Sequence, residues 1–233
     1  MTVPGRKLPV LVSALFFCAT LPVGAQSFFD SLDYALRGSI LFFPEQNGNA
    51  SSPMPILPSL GASVSYPQSD LLAFELSLDL YGTLYDYSYE LDRAVPASLE
   101  DRSSLVIGML WGVQPVFRFK PLGENITVRG YGGLAFDLRI CLLASGLDAG
   151  ESHDLYSGKT VGDASAGIFS YFWGGGRWLF PFIGGGMDFA VLDGMTLGFD
   201  VRVWLPVWRV WTGENLPFLE GFRFGLGFRA AFR

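Results

Sequence analysis

The chain's one histidine, His153, stands beside Asp148, Glu151 and Asp154, a set that could hold a cation weakly within one loop. Zinc would want a cluster of cysteines and histidines, and none accompanies it. A solvated polar loop is therefore the expected reading, with no metal. Ser152-His153-Asp154 brings three triad residue types together, but a catalytic triad is a relay in space, and consecutive side chains need not converge. The glycine runs 174–176 and 184–186 lack the lysine and the following helix of a phosphate loop. They are expected to serve close strand packing or local bending. No enzymatic activity and no cofactor are expected.

The remaining charges follow a different pattern, recurring at every second position. Glu75 and Asp79 alternate with Leu72, Phe74, Leu76, Leu78 and Leu80, and Asp200 and Arg202 alternate with Leu197, Phe199, Val201 and Val203. Arg223 and Arg229 share a face with Gly225 and Gly227, opposite Phe222, Phe224, Leu226, Phe228 and Phe232. Gln114 and Arg118 lie opposite Leu105, Ile107, Trp111, Val113 and Phe117. A period of two is the signature of strands with two unlike faces.

Strands are predicted over 34–43, 55–66, 71–87, 103–119, 126–140, 177–190, 195–208 and 219–232. Their connections alternate between short (67–70, 120–125, 191–194) and long (44–54, 88–102, 141–176, 209–218), as antiparallel spanning barrels require. Residues 163–173, rich in aromatics, are read as an ordered, partly apolar extension of the third long loop. A two-stranded projection there, or a ten-stranded barrel recruiting 27–33, are the other readings.

Which face forms a core decides between a soluble and a membrane protein. Half of the 233 residues are apolar, 16% are charged, and 29 are glycine. If the Phe/Leu/Val faces pointed inward, the outer surface would carry too little charge and too much glycine. If they point to lipid, glycines and paired charges fill a narrow interior while closure satisfies every backbone group. The fold class expected is thus all-β, a closed antiparallel transmembrane barrel, most simply of eight strands. Glu75, Asp79, Arg118, Arg129, Asp137, Arg139, Asp188, Asp200, Arg202, Arg223 and Arg229 then form an interior network, since confined charges must be paired. Tyr81, Tyr85, Tyr87 and Tyr89, with Trp204, Trp208 and Trp211, are expected at the outer membrane boundary, and Tyr66 and Phe119 at the inner one.

Residues 1–25 read as an export segment: Arg6 and Lys7, an apolar stretch from Leu8 to Ala19, then Val23-Gly24-Ala25 before a cleavage point. Cys18 offers lipid attachment as an alternative, against which bulky Phe17 stands. The barrel domain is then 26–233, with both ends in the periplasm and loops at the cell surface. Loss of Arg6 and Lys7 takes the net charge from −6 to −8, because residues 1–25 hold no acid. Such a chain presents no basic face to nucleic acid. Only Cys141 remains of the two cysteines, so no internal disulfide can form.

The segment 221–232, Gly-Phe-Arg-Phe-Gly-Leu-Gly-Phe-Arg-Ala-Ala-Phe, resembles the closing strand of small outer-membrane proteins. Pro181 to Phe189, the Asp193-Gly194 turn and Leu197 to Arg202 resemble their penultimate hairpin. The likeness is to the OmpA/OmpW-like eight-stranded superfamily, in architecture over 26–233 and in motif over 178–232. It implies that Phe224, Phe228 and Phe232 form a terminal signal read by the outer-membrane assembly machinery, with Arg233 after the last Phe as a departure. That superfamily includes anchors, adhesins, enzymes and narrow channels, so fold does not fix activity. The expected function is a narrow channel or uptake route for small or hydrophobic solutes. The alternative is a non-conducting structural protein or a surface adhesin.

Overall fold

The computed structural model describes residues 31–45, 55–121, 123, 125–153, 158–213 and 218–232. The export segment, Asp154 and Arg233 lie outside them. The strands are β1 (Asp33–Phe42), β2 (Ile56–Pro67), β3 (Leu72–Ser88), β4 (Arg93–Pro96), β5 (Ser104–Phe119), β6 (Ile126–Leu143), β7 (Leu179–Leu192), β8 (Met195–Trp204) and β9 (Arg223–Phe232). Helix α1 (Val161–Trp173) precedes β7, and a single helical turn, α2 (Arg209–Thr212), precedes β9.

Eight of these strands close on themselves. Antiparallel ladders run from β1 through β2, β3, β5, β6, β7, β8 and β9, and β9 returns to pair with β1, with Gly38 opposite Phe228. Closure leaves the ring without an edge strand. β4 stands outside the ring as a short ribbon on the far end of β3. The short turns lie at the end where β1 begins: Gln68 and Ser69 donate their amides to the Leu72 carbonyl at 2.9 and 3.0 Å, and Gly194 turns β7 into β8 at φ +78°.

Two predicted strands are shortened. β8 stops at Trp204, where Pro206 offers no amide and the chain winds into α2, and β9 begins only at Arg223. The larger finding is 163–173: the ordered, partly apolar extension of the third long loop is a helix rather than a two-stranded projection. Thr160 caps it: its hydroxyl accepts from the Asp163 amide at 3.1 Å, and the Asp163 carboxylate accepts from the Thr160 amide at 2.9 Å. Val161, Ala164, Ile168 and Phe172 make its buried stripe at helical spacing.

The two faces of the barrel are inverted relative to a soluble protein. Charged and polar side chains are buried inside, while Leu60 (75% exposed), Phe228 (79%), Leu36, Ile183 and Leu226 stand on the outside. A continuous apolar exterior of this kind is tolerated in lipid and not in water.

Candidate functional site

The lumen is packed in layers. In the middle, Arg37 of β1 reaches Asp200 of β8 at 3.2 Å and both Asp79 and Glu75 of β3 at 3.3 and 3.4 Å. Arg202 grips Asp79 with two nitrogens, at 2.5 and 3.1 Å, and also bonds the Ser39 hydroxyl. Nearer the short turns, Asp188 receives Arg129 at 2.8 Å and Arg229 at 3.0 Å, and Arg229 continues to Glu75 at 3.3 Å. Gln114 and Ser65 also donate to Glu75. At the inner mouth Arg118 pairs with Asp33 at 3.2 Å, both partly exposed.

These contacts follow from strand parity. Side chains two apart on one strand share a face, and closure brings the inward faces of all eight strands within reach of one another. Glycine makes the room. A side-chain carbon at Gly108 would strike the ring of Tyr81, and one at Gly184 would strike the ring of Tyr131.

The outer layer is built on Asp137 of β6. It takes Arg139 at 2.5 Å, Arg223 at 2.6 Å and the Tyr81 hydroxyl at 2.9 Å. The two guanidiniums also lie over aromatic rings, Arg139 over Phe172 of α1 and Arg223 over Phe180, each 3.9 Å from the centroid. Such stacking suits arginine and adds attraction where water is excluded.

A cap closes the outer end. β3, β5 and β6 continue past the others: the β5–β6 ladder reaches Ser104 opposite Leu143, whereas the β6–β7 ladder ends at Phe136 opposite Leu179. Helix α1 packs along this projecting wall, burying Ile168 and Phe172 with Tyr85, Ala94 and Val106. Trp173 donates its indole N–H to the Arg139 carbonyl on β6 at 3.1 Å. Across the mouth Arg93 of β4 pairs with Glu220, and the Tyr85 hydroxyl donates to Glu45 at 2.6 Å. Burial pushes the Glu220 carboxyl above the ordinary carboxylate range, against the pull of Arg93.

Two interior spaces among the described residues are small. One, about 30 Å³, lies beneath the cap between Glu45, Arg139, Trp208 and Arg223. The other, about 20 Å³, lies at the inner mouth by Asp33, Arg118 and Arg229. Each has room for about one water molecule.

All the acids and arginines read from the sequence as lumenal point inward in this structure, Arg118 at the inner mouth and the other ten buried. Arg37 joins them beyond the set expected from the sequence, although Leu36 and Ile40 flanking Arg37 and Ser39 carry the same alternation. The aromatic belt is placed differently. Tyr81, Tyr85, Trp204 and Trp208 are buried, Tyr81 and Trp204 in the lumen and Tyr85 and Trp208 beneath the cap. Trp211, Tyr66 and Phe119 are exposed. His153 is not a solvated loop residue: Nε2 lies 2.7 Å from Asp86 and its ring meets Tyr89 edge-on.

A closed ring of eight strands, charged within and apolar without, defines a small outer-membrane β-barrel. Its short turns face the periplasm and its long loops the cell exterior. No family model and no curated protein matches the chain. Among solved structures it is similar to the outer membrane protein OprG from Pseudomonas aeruginosa, with 12% identity, 86% of this chain and 96% of that chain covered, and a TM-score of 0.48. It is similar also to Neisserial surface protein A, at 12% identity, 86% and 94% coverage and a TM-score of 0.47. The N-terminal β-barrel domain of Pseudomonas aeruginosa OprF matches at 12% identity, 86% and 97% coverage and a TM-score of 0.41.

Proposed function

We propose that this protein is a sealed, non-conducting outer-membrane barrel whose work is done by its folded outer cap at the cell surface. The observation that carries this reading is the filled lumen. Its cross-section holds buried ion pairs linking β1, β3, β6, β7, β8 and β9, with residual spaces of about 30 and 20 Å³ at its ends. A hydrated solute would have to part several arginine–carboxylate pairs at once, and parting any buried pair is costly. The narrow solute route expected from the sequence has weaker support, because the same charges that suggested a path fill it. A catalytic role is no part of this reading. The ordered cap, with β4 and α1 fixed to the barrel wall, supports a surface-contact or structural role.

Phe224, Phe228 and Phe232 stand on the outward face of β9, which supports their part in recognition by the assembly machinery. Uptake by proteoliposomes tests the main reading. Entry of a small polar solute and of an apolar dye is expected to match protein-free vesicles. Protein-dependent entry of either would favour the solute pathway.

A further inference from the structure

Helix α1 has two apolar sides. One buries Ile168 and Phe172 in the cap, and the other carries Phe169 and Trp173, 50% and 40% exposed, with their rings 6.0 Å apart. The only charge on the exposed stripe is Asp163, at the opposite end of the helix, where it serves the cap box. A solvent-facing helix would ordinarily carry charged side chains on this side.

What adjoins Phe169 and Trp173 identifies their surroundings. Trp173 lines one outward groove with Trp111, Phe136, Leu138 and Trp178, and no charged side chain enters that lining. Phe136 and Trp178 stack at 6.0 Å. Trp111, Phe136 and Leu138 belong to the outward faces of β5 and β6, continuous with Leu134 and Val113 of the lipid-facing belt. The exposed edge of α1 is thus an extension of a surface that lipid already covers. A docking site for a soluble protein would be set apart from that belt by a polar rim, and none separates them here.

We propose that α1 is an interfacial membrane anchor whose Phe169–Trp173 edge is embedded in the outer leaflet, so that lipid is the occupant of this face. Tryptophan suits the position, with an apolar body and one N–H. Here the N–H is held by the Arg139 carbonyl, which fixes the ring against the barrel wall. The capped N-terminus of the helix, at Thr160 and Asp163, then lies on the water side. The arrangement ties the cap to the bilayer as well as to the barrel.

The experiment uses the membrane-inserted protein in phosphatidylcholine bilayers. In a Cys141→Ser background, a nitroxide is placed at Phe169→Cys, with Leu134→Cys as the lipid reference and Glu100→Cys as the water reference. The ratio of collisions with oxygen to collisions with a water-soluble nickel chelate is expected to be several-fold higher at 169 than at 100, approaching that at 134. A ratio at 169 equal to that at 100 overturns the proposal and leaves the face open to water or a soluble partner. Should the labelled variant not insert, the otherwise unaltered protein is compared with Trp173→Phe in bilayers of lipids brominated near the headgroup end of the chain. Wild type is expected to lose a larger share of its fluorescence than Trp173→Phe, and equal quenching of the two overturns the proposal.

Discussion

The Arg37 guanidinium reaches carboxylates on two strands, β3 and β8, and each of the three keeps a second arginine: Glu75 has Arg229, Asp79 has Arg202, and Asp200 has Arg202 and Arg129. Removing one partner of a buried pair costs about 3–5 kcal/mol when the other is stranded. With second partners in place, Arg37→Met is expected near the low end of that range, read from urea unfolding in lipid vesicles. Arg118→Met at the inner mouth, where neither partner is fully buried, should cost less than Arg37→Met. Equal effects of the two would contradict the layered lumen. At the cap, the Thr160 hydrogen bonds hold the Asp163 carboxyl below the ordinary carboxylate range. Its contribution is therefore present at neutral pH and fully lost only as pH falls below that range, through the lowered pKa of the carboxyl. The protection factor of the Thr160 amide should drop on acidification, and in Asp163→Ala it should be low and pH-independent.

Parity was the most legible feature of the elements. Glu75, Asp79 and Tyr81 share a face by counting alone, and so do Asp200, Arg202 and Trp204. The general preference of Tyr and Trp for interfaces nevertheless points Tyr81 and Trp204 to the membrane boundary, against their inward register. Both lie against arginines instead, Tyr81 bonded by Arg139 and Trp204 beneath Arg202 at 4.9 Å. Helix α1 is masked in the sequence for a related reason. Ile168, Phe169, Tyr171, Phe172 and Trp173 have strand-like composition, and this outweighs the helical spacing of Val161, Ala164, Ile168 and Phe172 and the Thr160/Asp163 box. The closing strand yields a sharp test. Phe228 is among the most exposed side chains and pairs with Gly38 and Phe199 along β9. Phe228→Arg should cost about 2–4 kcal/mol if it lies near the bilayer midplane, seen as loss of the fast-migrating folded form in unheated detergent gels. Unchanged assembly would contradict the outward assignment of that face.

At the scale of the molecule, the same eight inward faces that hold the charges also use up the lumen. An eight-stranded ring has an interior just wide enough for its own side chains, and here those side chains are long arginines, carboxylates and aromatic rings. Strand number and inward charge were readable from the sequence. Whether the charges met was not, since pairings such as Arg202 with Asp79 and Arg223 with Asp137 join positions far apart along the chain and depend on closure and register. The cap was equally hidden, because the ladder between β5 and β6 outlasts that between β6 and β7 only when the register is known. The central claim is that the barrel is sealed, and planar-bilayer recording tests it most directly. Correctly inserted wild-type protein is predicted to give no stepwise current above the bare bilayer, while reproducible unitary conductance through wild type, altered by substitution at Arg37 or Arg202, would contradict the account.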